Sequence, residues 1–258
     1  MCYFCGSIEK DGLHRLMKQL LKRLLTLLHI TVTRNQKYDA YSKRIIRRSL
    51  KPYSNCIDIG CHKGEILDLM IKWAPHGRKI GFEPIPELYH LLASKYSTDP
   101  NVTIRPIALY DQTGTTTFQH VLSAPAYSGI KIRKYDGKHV NIEQITVDTA
   151  LLDDVIPDDL PVDFIKVDVE GAEFRVLKGA INTLRRCKPV IIFEFGLGAA
   201  DFYNSKPNEL HQFITRDCKM KISTLRSFLD HTPALSESQF IELFEQGSEY
   251  YFVGHPAT

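Results

Sequence analysis

Acidic side chains directly follow one apolar run of the sequence, in the segment 163–173. Three carboxylates fall within six residues, at Asp168, Glu170 and Glu173, and a helical pattern begins at once after them. We interpret Glu173 as a first-turn helix acid, because the helix dipole stabilises negative charge there. Asp168 is expected to end the strand and to point into a cleft. Asp168 and Glu170 are therefore the candidate catalytic residues, able either to accept a proton or to hold a divalent cation. Glu194 and His62, at other strand ends, are further candidates for a base.

A glycine-containing turn follows an earlier apolar run and contains Asp58, Gly60 and Gly64 in the pattern D-x-G-x-x-x-G. Gly60 lets the backbone approach a ligand closely, and Gly64 opens a helix without a Cβ. An acid in the turn would repel a pyrophosphate, and the sequence lacks G-x-G-x-x-G, which weakens a dinucleotide interpretation. The turn instead suits a ligand with a cationic amino-acid end, such as the methionine portion of S-adenosylmethionine.

Two further strand ends carry residues suited to a nucleoside. Glu83 stands 19 residues beyond Gly64, where an acid can accept hydrogen bonds from both ribose hydroxyls. Ala108, near the end of the third predicted strand, is small enough to leave room for a flat adenine ring. Asp111 either meets the amino group of that ring or only forms a D-x-x-G turn.

The elements that must position these residues alternate from residue 55 onward. Short β-branched apolar runs separated by helical stretches predict a parallel sheet with helices on both faces. The tail adds two strands near 221–225 and 249–255, and residues 115–147 are expected to form an inserted β-hairpin with a polar loop. The helices are expected at 64–74, 86–97, 171–187 and 207–218.

Residues 1–50 form a basic N-terminal segment ahead of a main domain at 51–258. Residues 1–55 carry 12 Lys and Arg against 3 Asp and Glu, whereas the remainder has a net charge of −6. Leucines at helical spacing in 13–28 predict an amphipathic helix. Its apolar face needs a cover, which is the main domain, a second copy of the chain or an anionic membrane surface. We favour packing against protein, so that a homo-oligomer and peripheral membrane contact both stay open.

The composition narrows the class of protein. Six scattered cysteines indicate reduced thiols and not a disulfide framework, and no apolar run is long enough to cross a bilayer. We therefore expect a cytoplasmic protein, with contact at the inner face of a membrane as the alternative place for the basic leucine helix.

The motifs DIGCHKGE, GFEP, IALYDQTG, LLDDV and IKVDVEGAEFRVLKGA resemble the FkbM family of S-adenosylmethionine-dependent methyltransferases, from about residue 55 to 196. The resemblance implies an α/β class I methyltransferase fold, a Rossmann-like, doubly wound, mostly parallel seven-stranded sheet with its last strand antiparallel. It also implies methylation of hydroxyls on sugars, polysaccharides, lipids or polyketides. Cys61, His62 and Lys63 stand where small residues are frequent in the family. The cofactor-binding residues that the resemblance implies are Asp58, Gly60, Cys61, Gly64, Glu83, Ala108, Leu109 and Asp168.

These observations together predict an S-adenosylmethionine-dependent O-methyltransferase that acts on a small-molecule or glycan hydroxyl. The two alternatives are an RNA methyltransferase, which would use the basic leader, and a non-catalytic S-adenosylmethionine-binding domain of the same fold. Nucleic acid is the less favoured partner, because the leader pairs its basic residues with leucines and the main domain is acidic. A divalent metal is compatible with Asp168 and Glu170, but two carboxylates are too few to assert one.

Overall fold

The computed structural model describes residues 33–132 and 141–257. No helix within those ranges is long and apolar enough to span a membrane. The chain divides after Lys43 into two units, and the sheets and the site below belong to the unit that begins at Arg44. The leucine-rich helix predicted at 13–28 lies outside the described residues. The boundary expected after residue 50 stays a prediction.

Within the described ranges, ten strands make two sheets. The larger has seven strands in the order β3-β2-β1-β7-β8-β10-β9, and the smaller has three in the order β4-β6-β5. The predicted α/β class with a mostly parallel seven-stranded sheet is confirmed, since β10 alone runs antiparallel, to both β8 and β9. The strands are β1 (Cys56–Ile59), β2 (Lys79–Phe82), β3 (Val102–Arg105), β4 (Ile107–Leu109), β5 (Gly114–Val121), β6 (Ile142–Ala150), β7 (Phe164–Val167), β8 (Val190–Glu194), β9 (Met220–Thr224) and β10 (Tyr251–Pro256).

The smaller sheet forms where the sequence predicted one continuous third strand. Strand β3 ends at Arg105 and β4 begins at Ile107, because Pro106 between them has no N–H to donate to a ladder. Ala108 and Leu109 therefore lie on β4, which pairs with β6 and not with the larger sheet. Residues 114–121 and 142–149 pair antiparallel within the inserted block.

Helices flank the larger sheet, as expected for parallel strands joined by crossovers. The helix predicted at 171–187 is two helices separated near Gly179, where a Cβ would overlap the carbonyl oxygen of Tyr110. The helix predicted at 207–218 ends as a π-helical turn at Phe213–Asp217. The α-helices are α1 (Arg34–Ser49), α2 (Glu65–Trp73), α3 (Pro86–Lys95), α4 (Leu152–Val155), α5 (Glu173–Lys178), α6 (Ile181–Cys187), α7 (Pro207–Gln212), α8 (Leu225–Leu229) and α9 (Glu237–Glu245), with 3-10 turns at Pro125–Tyr127 and Ala200–Tyr203.

The centre of the larger sheet is covered on both faces. Ile57 of β1, Ile165 of β7 and Ile191 of β8 are register neighbours, and each is at most 1% exposed. Burying a side chain of this size contributes about 1.5–3 kcal/mol. Strands β1 and β7, whose ends carry the site, are buried on every residue and are therefore covered on both faces.

Candidate functional site

The turn after β1 brings its backbone against the end of β7. Gly60 has φ +81°, a left-handed conformation that residues with a Cβ rarely adopt. A Cβ at Gly60 would overlap the carbonyl oxygen of Asp168. Gly64 also has positive φ and precedes α2, where a Cβ would overlap the Tyr96 hydroxyl. Gly60 thus lets the end of β1 pack closely on the end of β7. Gly64 instead allows the backbone conformation that begins α2, and it lines neither of the two cavities at the site.

Glu83 lies directly after β2 and connects this turn to the start of α3. Its Oε2 accepts a hydrogen bond from the N–H of His62 at 2.8 Å, and its Oε1 accepts one from the N–H of Ile85 at 3.0 Å. The side chain is 3% exposed, and burial raises the pKa of the carboxyl to about 7 against the effect of both bonds. Each oxygen keeps a second lone pair for a ligand hydroxyl.

A cavity of about 60 Å³ opens beside Glu83, beyond the carboxyl ends of β1 and β2. We call it the Glu83 cavity. Ligands of doubly wound sheets bind at this edge, where the strand order reverses. The inserted block contributes Phe118 and Ala126 to its wall. Ala108 and Leu109, two of the predicted cofactor-binding residues, lie in that lining.

A second cavity of about 190 Å³ adjoins the first and is here called the Asp168 cavity. Asp58, at its base, is 2% exposed, and its Oδ2 has no hydrogen-bond partner among the described residues. Burial raises the pKa of Asp58 to about 7, although the nearby Lys166 ammonium opposes the shift. Cys61 also lines this cavity and donates its S–H to the backbone oxygen of Asp58 at 3.2 Å. The two cavities share Gly60, His62, Ala126, Asp168 and Glu170.

Asp168 is fixed through one of its two oxygens. Oδ2 accepts hydrogen bonds from Lys166 Nζ at 2.7 Å and from the Tyr251 hydroxyl at 2.8 Å. Strand β7 ends at Val167, one residue before the predicted end, so Asp168 is the first residue beyond the strand. Because both bonds reach Oδ2, Oδ1 is the oxygen left for a ligand in the described part of the chain.

Glu194 joins the two predicted catalytic acids. One carboxylate oxygen from each of Asp168, Glu170 and Glu194 lies within 4.8 Å of the other two. Glu194 ends β8, and Glu170 has φ +58°, an unusual conformation for a residue with a Cβ. Three carboxylates at this separation can accept a proton from a bound hydroxyl, and they are also the oxygen ligands that divalent cations prefer.

Glu173 has a larger structural role than a surface helix acid. It is 1% exposed, and its Oε1 accepts hydrogen bonds from the N–H groups of Val169 and Gly171 at 3.0 and 3.2 Å. Burial raises the pKa of its carboxyl to about 7. Glu173 is therefore the first-turn acid of α5 that the sequence predicted, and its buried carboxyl also holds the turn that carries Asp168 and Glu170.

Replacing Glu173 with Ala should lower the free energy of unfolding by about 2–4 kcal/mol, because it leaves two buried N–H groups without an acceptor and opens a cavity. Glu173→Gln should cost less than about 1 kcal/mol, because its amide oxygen still accepts both bonds. Urea unfolding of both variants measures the difference. Equal losses would contradict this role for Oε1.

The buried acids also predict how stability depends on pH. Asp58, Glu83 and Glu173 all have folded-state pKa values raised to about 7 by burial. The unfolded chain loses these protons near pH 4, so the folded state holds more protons between about pH 4 and 7. Stability should therefore fall as the pH rises through that range and level off above it. Thermal unfolding of the ligand-free protein from pH 5 to 8 tests this, and Glu173→Gln should show a shallower decline. If the stability of Glu173→Gln declines with pH as steeply as that of the parent, the raised pKa of Glu173 does not contribute to the decline.

Other residues have clear places in the structure. Asp111 lines neither cavity, and its Oδ2 accepts from Arg175 Nη1 at 2.9 Å, which favours the turn interpretation over contact with an adenine. Lys166 and Tyr251 were missed in the sequence. The two-residue spacing of Lys166 and Asp168 could have revealed the first, since such residues share a face. Tyr251 reaches the site only through the pairing of β10.

A seven-stranded sheet with one antiparallel strand, a glycine turn after β1 and an acid after β2 define a class I methyltransferase. The methyl donor that this class of fold implies is S-adenosylmethionine. Residues 58–222 match the model of the methyltransferase FkbM domain, which is more than half of the sequence. The chain belongs to the FkbM methyltransferase family.

Comparison with solved structures finds the following similar chains. Methyltransferase FkbM from Methylobacillus flagellatus KT superposes with a TM-score of 0.50 at 16% identity, over 80% of this chain and 44% of that protein. This chain thus spans less than half of that relative's length. A precorrin-6y C5,15-methyltransferase from Geobacter metallireducens GS-15 has a TM-score of 0.44 at 14% identity, with 86% and 89% of the two chains covered. An rRNA methylase from Streptococcus thermophilus has a TM-score of 0.45 at 9% identity, with 84% and 95% covered. No curated protein sequence gives a significant match.

Proposed function

We propose that this protein transfers a methyl group from S-adenosylmethionine to a hydroxyl oxygen of a small molecule or glycan. The observation that carries the proposal is the convergence of Asp168, Glu170 and Glu194 beside two adjoining cavities. A hydroxyl acceptor must lose its proton during transfer, and a carboxylate at hydrogen-bonding distance can take it.

The residues present fit the donor that the fold implies. The lack of a Cβ at Gly60 lets the turn after β1 pack on the end of β7 beside both cavities, and the buried Oδ2 of Asp58 lacks a hydrogen bond from the described residues. An ammonium group would satisfy that oxygen. The Asp168 cavity would hold the amino-acid end, while Glu83 and Ala108 in the adjoining cavity would hold the nucleoside end.

The donor, when bound, supplies a methyl group on a sulfonium whose departure needs no further activation. The chain must align the acceptor oxygen and exclude competing water, which is catalysis by proximity. Asp168 is the favoured base, because Lys166 and Tyr251 fix its orientation through Oδ2 and leave Oδ1 to accept the proton. Glu170 and Glu194 would position the acceptor hydroxyl.

Transfer of a labelled methyl group tests the proposal. The purified full chain is incubated with labelled S-adenosylmethionine and separate sets of alcohols, glycans and RNA, each with and without EDTA. We expect label in a hydroxyl acceptor, stable to the base treatment that hydrolyses esters. Label in RNA alone would support the RNA methyltransferase. Donor binding without transfer to any of the sets would support the non-catalytic domain, and loss of transfer with EDTA would assign the three carboxylates to a cation.

The basic N-terminal segment gives a separate prediction. Deleting residues 1–35 should lower the melting temperature or change the oligomeric state, because the leucine face of 13–28 is expected to pack on protein. Affinity for S-adenosylmethionine should be unchanged, since the glycine turn begins only at Asp58. Size-exclusion chromatography detects binding to a second copy of the chain, and flotation with anionic liposomes detects binding to a membrane. If the full chain binds liposomes, the deletion variant does not, and both are equally stable, the leucine face contacts a membrane. That result would favour a peripheral location at the inner face of a membrane over a purely cytoplasmic one.

A further inference from the structure

Lys166 is a buried cation at the centre of the sheet. The residue lies on β7, is 4% exposed and lines the Asp168 cavity. Burying an ammonium group is costly unless its charge is paired and its N–H groups are satisfied. One N–H reaches Asp168 Oδ2 at 2.7 Å and another reaches the carbonyl of Val167 at 3.4 Å. An ammonium has three such donors, so these contacts leave one that a ligand in the cavity can use.

Asp58 stands beside Lys166 on the neighbouring strand. The two are register partners of the parallel pair β1 and β7. Neighbouring strands are about 4.8 Å apart, so these opposite charges lie side by side. They nevertheless form no ion pair within 4.0 Å in the described chain, and Asp58 Oδ2 has no hydrogen-bond partner there. Both groups line the same cavity, which leaves a place where one ligand can meet both charges.

The charges around the cavity narrow the chemistry of that ligand. Four carboxylates line it, and Lys166 is the single Lys or Arg among its described lining residues. A divalent cation on Asp168 would face the ammonium that already binds the same carboxylate. A simple anion would meet one cation and four acids. A zwitterion suits both Asp58 and Lys166, because its ammonium and carboxylate need opposite partners.

We propose that Lys166 binds the carboxylate of the methionine portion of S-adenosylmethionine, while Asp58 accepts from its ammonium group. This assignment rests on the proposed function, since it names how one end of the donor is held. Lys166 is then a binding and orienting residue with two tasks. One N–H fixes Asp168, and another fixes the ligand whose methyl group must face the acceptor.

The test compares two ligands that differ by one group. S-Adenosylmethionine and its decarboxylated analogue share the nucleoside, sulfonium and ammonium, and only the first has a carboxylate. Calorimetry of the parent protein should show tighter binding of S-adenosylmethionine. Lys166→Met should lower the affinity for S-adenosylmethionine by at least about tenfold, the effect of losing a hydrogen bond to a charged group. It should lower the affinity for the analogue by less than about threefold.

A matched control exists on β2. Lys79 is also a fully buried lysine on a central strand, but it lines neither cavity, and its Nζ donates to the carbonyl of Gly77. Lys79→Met should leave the ratio of the two affinities unchanged. If Lys166→Met does not fold, the same comparison is made between Asp168→Asn and Asp168→Asn with Lys166→Met, in which the carboxylate that binds Lys166 Nζ has been neutralised.

Each outcome has a distinct meaning. Equal weakening of both ligands by Lys166→Met, or equal affinity of the parent for both, would overturn the role of Lys166 and leave the proposed function standing. A parent protein that binds neither ligand would instead refute the proposed function. A loss confined to S-adenosylmethionine supports the inference.

Discussion

Asp168→Asn is expected to reduce methyl transfer by about 10²–10⁴-fold, the range attributed to a positioned general base. An asparagine amide cannot take the acceptor's proton. Its oxygen can still accept hydrogen bonds from Lys166 and Tyr251, which reach Oδ2 in the parent protein. The fold and a measurable affinity for S-adenosylmethionine should therefore persist.

The measurement is the turnover rate at saturating donor, with the acceptor found in the labelling assay, alongside thermal unfolding. Asp111→Asn is the matched control, because Asp111 is ion-paired to Arg175 and lines neither cavity. It should keep its rate within about threefold of the parent. If Glu173→Gln loses as much activity as Asp168→Asn without unfolding, the separation of a base from a structural acid is wrong.

Gly60→Ala is expected to have the largest effect on structure and donor binding together. The new Cβ would stand at φ +81° and overlap the carbonyl oxygen of Asp168. The left-handed conformation alone costs about 1–2 kcal/mol. Relieving the overlap must also move the turn away from β7, which disrupts both cavities at once. We expect a total loss of more than about 3 kcal/mol in stability, and loss of detectable S-adenosylmethionine binding.

Gly198→Ala separates the cost of the left-handed conformation from the cost of the overlap with Asp168. Gly198 has φ +90°, close to that of Gly60, but nothing lies within 4 Å of the Cβ it would gain. It should lose only about 1–2 kcal/mol. Chemical unfolding and calorimetry on both variants give the comparison. Similar losses of stability in the two would show that conformation, and not contact with β7, governs the turn.

Much of the larger sheet could be predicted from the sequence because its strands are continuous apolar runs that end in Asp, Glu or Gly. Strands β1, β2 and β7 are buried on every residue, as such runs require. The errors arose where tertiary contacts decide the local structure. The helix expected over 171–187 divides near Gly179, because the backbone of Tyr110 packs against that glycine.

The site shows the same limit. The glycine turn and Glu83 could be located because local spacing carries their signal. The first-turn position of Glu173 could be predicted, but its burial could not, because the same position can be exposed or buried and only packing distinguishes the two cases. Tyr251 lies 83 residues from Asp168, and no local pattern in the sequence indicates such a contact. Whether Asp58, Cys61, Gly64 and the other predicted residues contact a cofactor stays a prediction.

The position of β10 between β8 and β9 has a consequence for the order of assembly. Strand β9 leaves the ribosome before β10, yet its one neighbour in the described sheet is β10. The earlier strand must wait, unpaired, until the later one inserts beside β8. The same insertion delivers the Tyr251 hydroxyl to Asp168. Domains generally fold as units during synthesis. This domain therefore cannot complete its larger sheet, or orient Asp168 through Tyr251, until β10 has been made.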